Sequence, residues 1–209
     1  MHQSIPPITL NQEYILEGIT YLAKIDTDLA EVITDLGAPP LWAREPGFPT
    51  LIHIILEQQV SLASAKAAFS KLNESAGELT PERFLAFTDG ELRDIGFSKQ
   101  KTSYGRGLSQ AILEGELDLG ELSSLDDASV RNELVKIKGI GPWTADIYLL
   151  MVLLRPDIWP AGDLALAKAA QAIKNLPSIP APEMLAEIAE GWKPWRAVAA
   201  RVLWHYYLK

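Results

Sequence analysis

The residue types best suited to chemistry lie in two segments. The first, Leu134 to Tyr148, reads Leu-Val-Lys-Ile-Lys-Gly-Ile-Gly-Pro-Trp-Thr-Ala-Asp-Ile-Tyr and joins two helical patterns through a tight turn. Gly139 and Gly141 remove the Cβ atoms that would block close approach to the turn. Pro142 pre-sets the first turn of the following helix and has no amide to waste. Outward-facing N–H groups backed by the positive end of a helix dipole make an anion site suited to phosphate, one that reads no base. The second segment, Trp-Pro-Ala-Gly-Asp-Leu-Ala-Leu, brings a carboxylate, Asp163, 22 residues beyond Gly141. It stands at the N-cap of a helix that begins at Leu164, where an aspartate is an ordinary cap. Two amides, Gln58 and Gln59, interrupt an apolar helical segment and must be exposed or paired there.

The elements that position these groups are helical. Apolar residues recur at spacings of three and four in Ile15 to Leu36, Leu51 to Leu72, Val130 to Ile137, Thr144 to Leu154, Leu164 to Ile173, Met184 to Ile188 and Ala197 to Tyr207. Strand alternation is nearly absent. Stops and starts are marked by Gly37 with Pro39-Pro40, Thr80-Pro81, Ser129, Pro156, Gly162-Asp163, Pro180 to Pro182, and Gly191 with Pro194. About ten helices and no sheet of consequence are expected, with no long linker, low-complexity segment or internal repeat.

A chain of 209 residues, 48% hydrophobic, can bury a substantial core as one domain or two closely packed lobes. The start, Met-His-Gln-Ser-Ile-Pro-Pro, has no basic region followed by an apolar run, and no stretch of about 18 uncharged apolar residues occurs, so a cytoplasmic protein is expected. Zero cysteines exclude disulfides, zinc–thiolate sites and cysteine-ligated iron–sulfur clusters. His2, His53 and His205 are too scattered, and lack acids at ligand spacing, for a catalytic metal. The net charge of −8 counts against a partner bound through phosphate. Its distribution is uneven, however. Gly96 to Leu113 carries Lys99, Lys101 and Arg106 with no acid, whereas Glu114 to Asp127 carries six acids and no base; either run can also be a solvated helix face.

The hairpin and Asp163 together resemble the helix-hairpin-helix DNA glycosylases, above all the alkylated-base branch, 3-methyladenine DNA glycosylase II, in its compact form without an N-terminal β-rich domain. Three further segments carry the resemblance: Leu51 to Ser61 with its Glu-Gln-Gln-Val-Ser, Gly96 to Tyr104 with Phe-Ser-Lys-Gln-Lys, and Lys193-Pro-Trp-Arg-Ala-Val-Ala-Ala-Arg-Val-Leu-Trp. The resemblance implies an all-α, two-lobed fold over the whole of 1–209. A central helical lobe, 45–155, would include the hairpin at 131–150, and the second lobe would come from 1–44 plus 156–209. The base would sit in the cleft between lobes.

What the resemblance implies about roles is specific. Asp163 is the catalytic carboxylate, stabilising oxocarbenium charge on the sugar and orienting or deprotonating water. Where lyase-competent members place a lysine nucleophile, this chain has Trp143, and an indole cannot form a Schiff base; a monofunctional enzyme with no AP-lyase activity follows. Trp143 and Trp204 are then base-pocket residues, with Tyr148, Phe48 and Trp159, and more weakly Trp195, as further candidates, since an electron-rich ring attracts a purine made cationic by alkylation. DNA contacts are expected from Gly139, Ile140, Gly141, Lys138 and Thr144 in the hairpin, from Lys99 and Lys101, and from Gln58, Gln59 and Ser61. Gln59 matches the residue that plugs the gap left by the flipped nucleotide. No cofactor is required, though Na+ or K+ could sit on the backbone carbonyls of Val135, Ile137 and Ile140.

The expected partner is double-stranded DNA with alkylated bases, 3-methyladenine or 7-methylguanine. A downstream abasic-site endonuclease would follow, and the protein would be a monomer, nucleoid-associated if bacterial. Three other readings remain: a non-enzymatic helix-hairpin-helix DNA-binding module, in which Asp163 is only a cap, a glycosylase for another damaged base, and, from the acidic charge, a protein-interaction scaffold.

Overall fold

A computed structural model describes residues 8–209; His2 and the N-terminal segment read above for a leader lie outside them. Twelve α-helices follow one another: α1 Gln12–Ile25, α2 Thr27–Leu36, α3 Phe48–Glu57, α4 Leu62–Ala76, α5 Pro81–Ala86, α6 Asp89–Ile95, α7 Lys99–Leu113, α8 Asp127–Val135, α9 Pro142–Met151, α10 Leu164–Ile173, α11 Pro182–Glu190 and α12 Arg196–Tyr207. One 3₁₀ turn, Glu121–Ser124, lies between α7 and α8, and no strand occurs among the described residues. None of these helices is long and apolar enough to cross a membrane.

Two periodic runs break where the sequence pattern alone does not. Ile15 to Leu36 splits at Asp26, whose side chain accepts the Asp28 and Leu29 amides and so starts α2. Leu51 to Leu72 splits at Gln58 to Ser61: Gln59 takes φ of +57°, and Ser61 caps α4 by accepting the Ser64 amide. Capping side chains decide these ends while the apolar spacing runs on through them.

The chain forms two compact units, one from residues up to Ala43 together with Leu149–Lys209, the other Arg44–Tyr148. The division thus falls within the last turns of α9 rather than near residue 155. In the first unit α12 is the central element, with Ala197 to Trp204 all buried and α1, α2, α10 and α11 packed around it. A helix apolar on every side belongs at such a centre. In the second unit α3 has that position, with Leu51, Ile52, Ile54, Ile55 and Leu56 buried and α4 and α7 against it.

A half-buried polar knot joins the two chain segments of the first unit. Lys174 Nζ donates to Asp26 Oδ2 and Asp28 Oδ2, each at 2.9 Å, and Trp192 Nε1 donates to Asp26 Oδ2 at 2.8 Å. Burial would raise the Asp26 carboxyl, but the bonds from Lys174, Trp192 and the Leu29 amide outweigh it and hold the group below its ordinary range. A carboxylate depressed in the fold stabilises it above the unfolded value of about 3.9, and that stabilisation fades as pH falls through the lower folded value. An Asp26→Asn variant should therefore melt below the wild type at pH 7. The gap should close as the pH is taken from about 5 towards 2, which circular dichroism melts across that range would show.

Candidate functional site

Asp163 is delivered by a short turn in the first unit. The Ala161 amide donates to Trp159 O at 2.9 Å and the Asp163 amide to Pro160 O at 3.2 Å, with Gly162 at φ of +82° turning the chain into α10. As the N-cap, Asp163 Oδ1 accepts the Leu166 amide at 2.9 Å and, on the same oxygen, Trp204 Nε1 at 3.2 Å. Trp204 projects from α12, so the carboxylate is fixed by two helices and not by its cap bond alone. Capping and catalysis are compatible here, because the cap is what fixes the carboxylate in place.

The aromatic candidates divide by burial. Trp159 packs edge-on against Trp192 with ring centroids 5.4 Å apart and is 6% exposed; Phe48 packs edge-on against Phe84 at 6.0 Å and is 5% exposed. Tyr148 is fully buried, and burial pushes its hydroxyl up to about 12, so it stays neutral. These three rings are core, and their expected pocket role is corrected: at helical spacing a ring that fills the interior and one that lines a pocket are the same letter in the sequence. Trp195 is half-buried with Tyr14 at 6.4 Å. Trp143 is half-buried in the first turn of α9 and keeps its candidacy as a stacking face. Trp204 is buried but holds Asp163, and beside it stands a residue sequence reasoning missed, Trp42, whose ring lies edge-on to Trp204 at 6.5 Å. Its only sequence signal is a tryptophan outside any helical pattern, just beyond Pro39-Pro40.

In the second unit the hairpin has a firm inner side and an open outer one. The Ile137 amide donates to Leu134 O at 3.1 Å and the Ile140 amide to Ile137 O at 3.0 Å, closing the turn after α8. Gly139 has φ of +96°, and a Cβ there would lie 2.1 Å from Cγ of the Tyr104 ring. Gly141 differs, having no heavy atom within 4 Å of where its Cβ would stand. Only Gly139 is demanded by the fold; the space at Gly141 is open. The first α9 amides lack acceptors within their own helix, and the first bond there runs from the Ala145 amide to Gly141 O at 3.0 Å.

The polar candidates around the hairpin also divide. Gln58 Nε2 donates to Gly139 O at 2.8 Å and to Thr144 Oγ1 at 3.0 Å, tying the end of α3 to the turn. Thr144 is 1% exposed and Ile140 3%, and the Ile140 amide already donates to Ile137 O, so the expected DNA contacts of these two residues are corrected: both belong to the inner side of the turn. Gln58 is likewise corrected from a DNA contact to a brace. Lys101 Nζ donates to Leu56 O at 2.7 Å, closing the C-terminal end of α3, and desolvation lowers its pKa; it is not a surface phosphate contact. Lys138 and Lys99 are exposed, as are Gln59 and Ser61. Ile137 O already accepts the Ile140 amide, leaving one of its lone pairs for any ion shared with Val135 O and Ile140 O.

Removing the brace should be costly. Gln58→Ala leaves Gly139 O and Thr144 Oγ1 without their donor, which is expected to destabilise the protein by about 1–3 kcal/mol and to weaken duplex binding. Urea unfolding and fluorescence-anisotropy titration of the same preparation check both effects.

Comparison with known proteins agrees with this geometry. Residues 52–194 match the HhH-GPD superfamily of base excision DNA repair proteins. A DNA-3-methyladenine glycosylase of Bacillus subtilis is 27% identical over 98% of this chain and 76% of its own length. DNA-3-methyladenine glycosylase 1 of Schizosaccharomyces pombe is 30% identical over 77% of this chain and 72% of its own. The chain spans 65% of a further Bacillus subtilis relative. Among solved structures, the Schizosaccharomyces pombe 3-methyladenine DNA glycosylase in complex with abasic DNA is similar with a TM-score of 0.85 at 27% identity, covering 90% of this chain and 95% of that one. An all-helical fold, a glycine hairpin opening α9, a carboxylate capping α10 and a family match over more than half the sequence make this chain a member of the HhH-GPD superfamily of base excision DNA repair proteins.

Proposed function

We propose that the chain is a monofunctional DNA glycosylase that takes an alkylated purine, 3-methyladenine or 7-methylguanine, out of duplex DNA and hydrolyses its N-glycosidic bond. The observation that carries this reading is the Asp163 carboxylate, held on one oxygen by the Leu166 amide and Trp204 Nε1. Two N–H donors fix its direction before substrate arrives, so little reorganisation remains for the reaction itself.

The chemistry asks little more of the protein. N3 or N7 alkylation makes the purine cationic and hence a good leaving group. As the bond to C1′ breaks, its electron pair neutralises the departing ring and positive charge develops on the sugar, where a fixed carboxylate stabilises it. Water then bonds to C1′, giving its proton to Asp163 or to solvent. Trp143, at the position of the lyase lysine, offers no amine for a Schiff base, so the abasic strand is left intact for an abasic-site endonuclease.

The hairpin of the second unit supplies the DNA grip in this reading. The amides of Gly139 and Gly141 take a phosphate, with Lys138 and Lys99 as exposed charges, and Na+ or K+ on the Val135, Ile137 and Ile140 carbonyls would suit so acidic a chain. Gln59 is proposed as the plug, exposed and with φ of +57° at the loop between α3 and α4. Incubation with dimethyl-sulfate-treated DNA, followed by chromatography of the soluble fraction, should show free 3-methyladenine and 7-methylguanine. DNA that is bound with no purine released would instead favour the non-enzymatic binding module.

A further inference from the structure

Trp204 has its indole N–H on Asp163 and is only 7% exposed, which makes it a support for the carboxylate and a poor platform for a base. The ring next to it is different. Trp42 is half-buried, packs edge-on to Trp204 at 6.5 Å and to His205 at 6.4 Å, and sits at φ of +49°. A bulky residue in the left-handed region is rare, and such strain persists only where surrounding structure over-determines it.

What over-determines it is Arg201. This side chain is fully buried in α12, and its guanidinium donates to three carbonyls: Nε to Leu41 O at 2.9 Å, Nη1 to Ala197 O at 2.9 Å and Nη2 to Leu150 O at 2.7 Å. Burying a guanidinium on carbonyls is expensive. One of the three bonds ends on the residue immediately before Trp42, so the loop is clamped from inside at the point where the strained indole emerges.

We propose that Trp42 is a base-binding residue, its indole presented beside Trp204, the residue that holds Asp163, as an aromatic face on which a cationic purine stacks. This rests on the glycosylase reading above. The face and the carboxylate belong to one unit and one chain of contacts, Arg201 to Leu41 and Trp42, then Trp204, then Asp163. An indole is the strongest of the aromatic partners for a cation, and stacking needs no pattern of hydrogen-bond donors to accept either alkylpurine.

Single-turnover release of 7-methylguanine from a duplex oligonucleotide tests this with wild type, Trp42→Phe, Trp42→Leu and Asp163→Asn. Melting temperature and binding to a duplex with a tetrahydrofuran abasic analogue are measured on each. Leucine keeps apolar bulk without a π face, so Trp42→Leu should lose about tenfold in release while Trp42→Phe stays within about threefold. Both should bind the abasic duplex as the wild type does, since the phosphate grip is untouched, and only Trp42→Leu, which loses the ring packing on Trp204 and His205, should melt slightly lower. Equal release by the Leu and Phe variants, with wild type active and Asp163→Asn inactive, would overturn the proposal alone. A wild type that releases nothing would remove the glycosylase reading and this proposal with it.

Discussion

Asp163→Asn should slow base release by about a thousandfold and leave the fold intact. A carboxylate about 4 Å from a developing unit charge, at an effective dielectric of about 20, contributes roughly 4 kcal/mol, which is about three orders of magnitude in rate. Asparagine is nearly isosteric, caps a helix about as well as aspartate, and can still accept the Leu166 amide and Trp204 Nε1 through its carbonyl oxygen. Stability and rate therefore separate cleanly. Asp163→Ala, by contrast, loses the cap as well, costing about 1 kcal/mol, or roughly 2–4 °C in melting temperature for a chain of this size. Quench-flow release and thermal melts on both variants distinguish a reacting group from a cap. An asparagine variant within tenfold of the wild type would leave Asp163 only its capping role.

The two hairpin glycines should respond in opposite ways. At Gly139 a methyl group meets the Tyr104 ring at 2.1 Å in a backbone conformation with φ of +96°, so overpacking and strain add to about 3 kcal/mol or more. Gly139→Ala should thus melt roughly 6–12 °C below the wild type. Gly141→Ala meets nothing within 4 Å and should melt as the wild type does. Its methyl group projects instead into the space a phosphate would occupy, and affinity for duplex DNA should fall about tenfold or more. Loss of stability at Gly141, or unchanged affinity there, would contradict the view of the turn as firm within and open without.

Much of this architecture can be read from residue patterns, because helix periodicity and caps are local. The Gly162-Asp163 start of α10, the Pro142 start of α9 and the apolar α12 are all visible in the chain. The breaks at Asp26 and Ser61 are not, since apolar spacing continues across both and only the capping bonds show that the helix has stopped. Side-chain roles are harder still. Lys101 reads as a surface charge, yet its ammonium closes the end of α3. Gln58 and Gln59 read as a pair, yet one faces the hairpin and the other solvent. Phe48, Tyr148 and Trp159 have the composition of a pocket and the burial of a core. Trp42 was invisible for the opposite reason: its conformation depends on a bond between Leu41 and Arg201, 160 positions apart in the chain.

The most direct test of the central claim is a duplex oligonucleotide with a single 7-methylguanine, incubated with excess wild-type protein and run on a denaturing gel before and after alkali. Hydrolysis by a monofunctional enzyme predicts an intact strand before alkali and a break at the modified position after it. A break without alkali would show lyase chemistry that Trp143 is not expected to allow, and a bound duplex with no alkali-labile site would mean that Asp163 does not act on an alkylated purine at all.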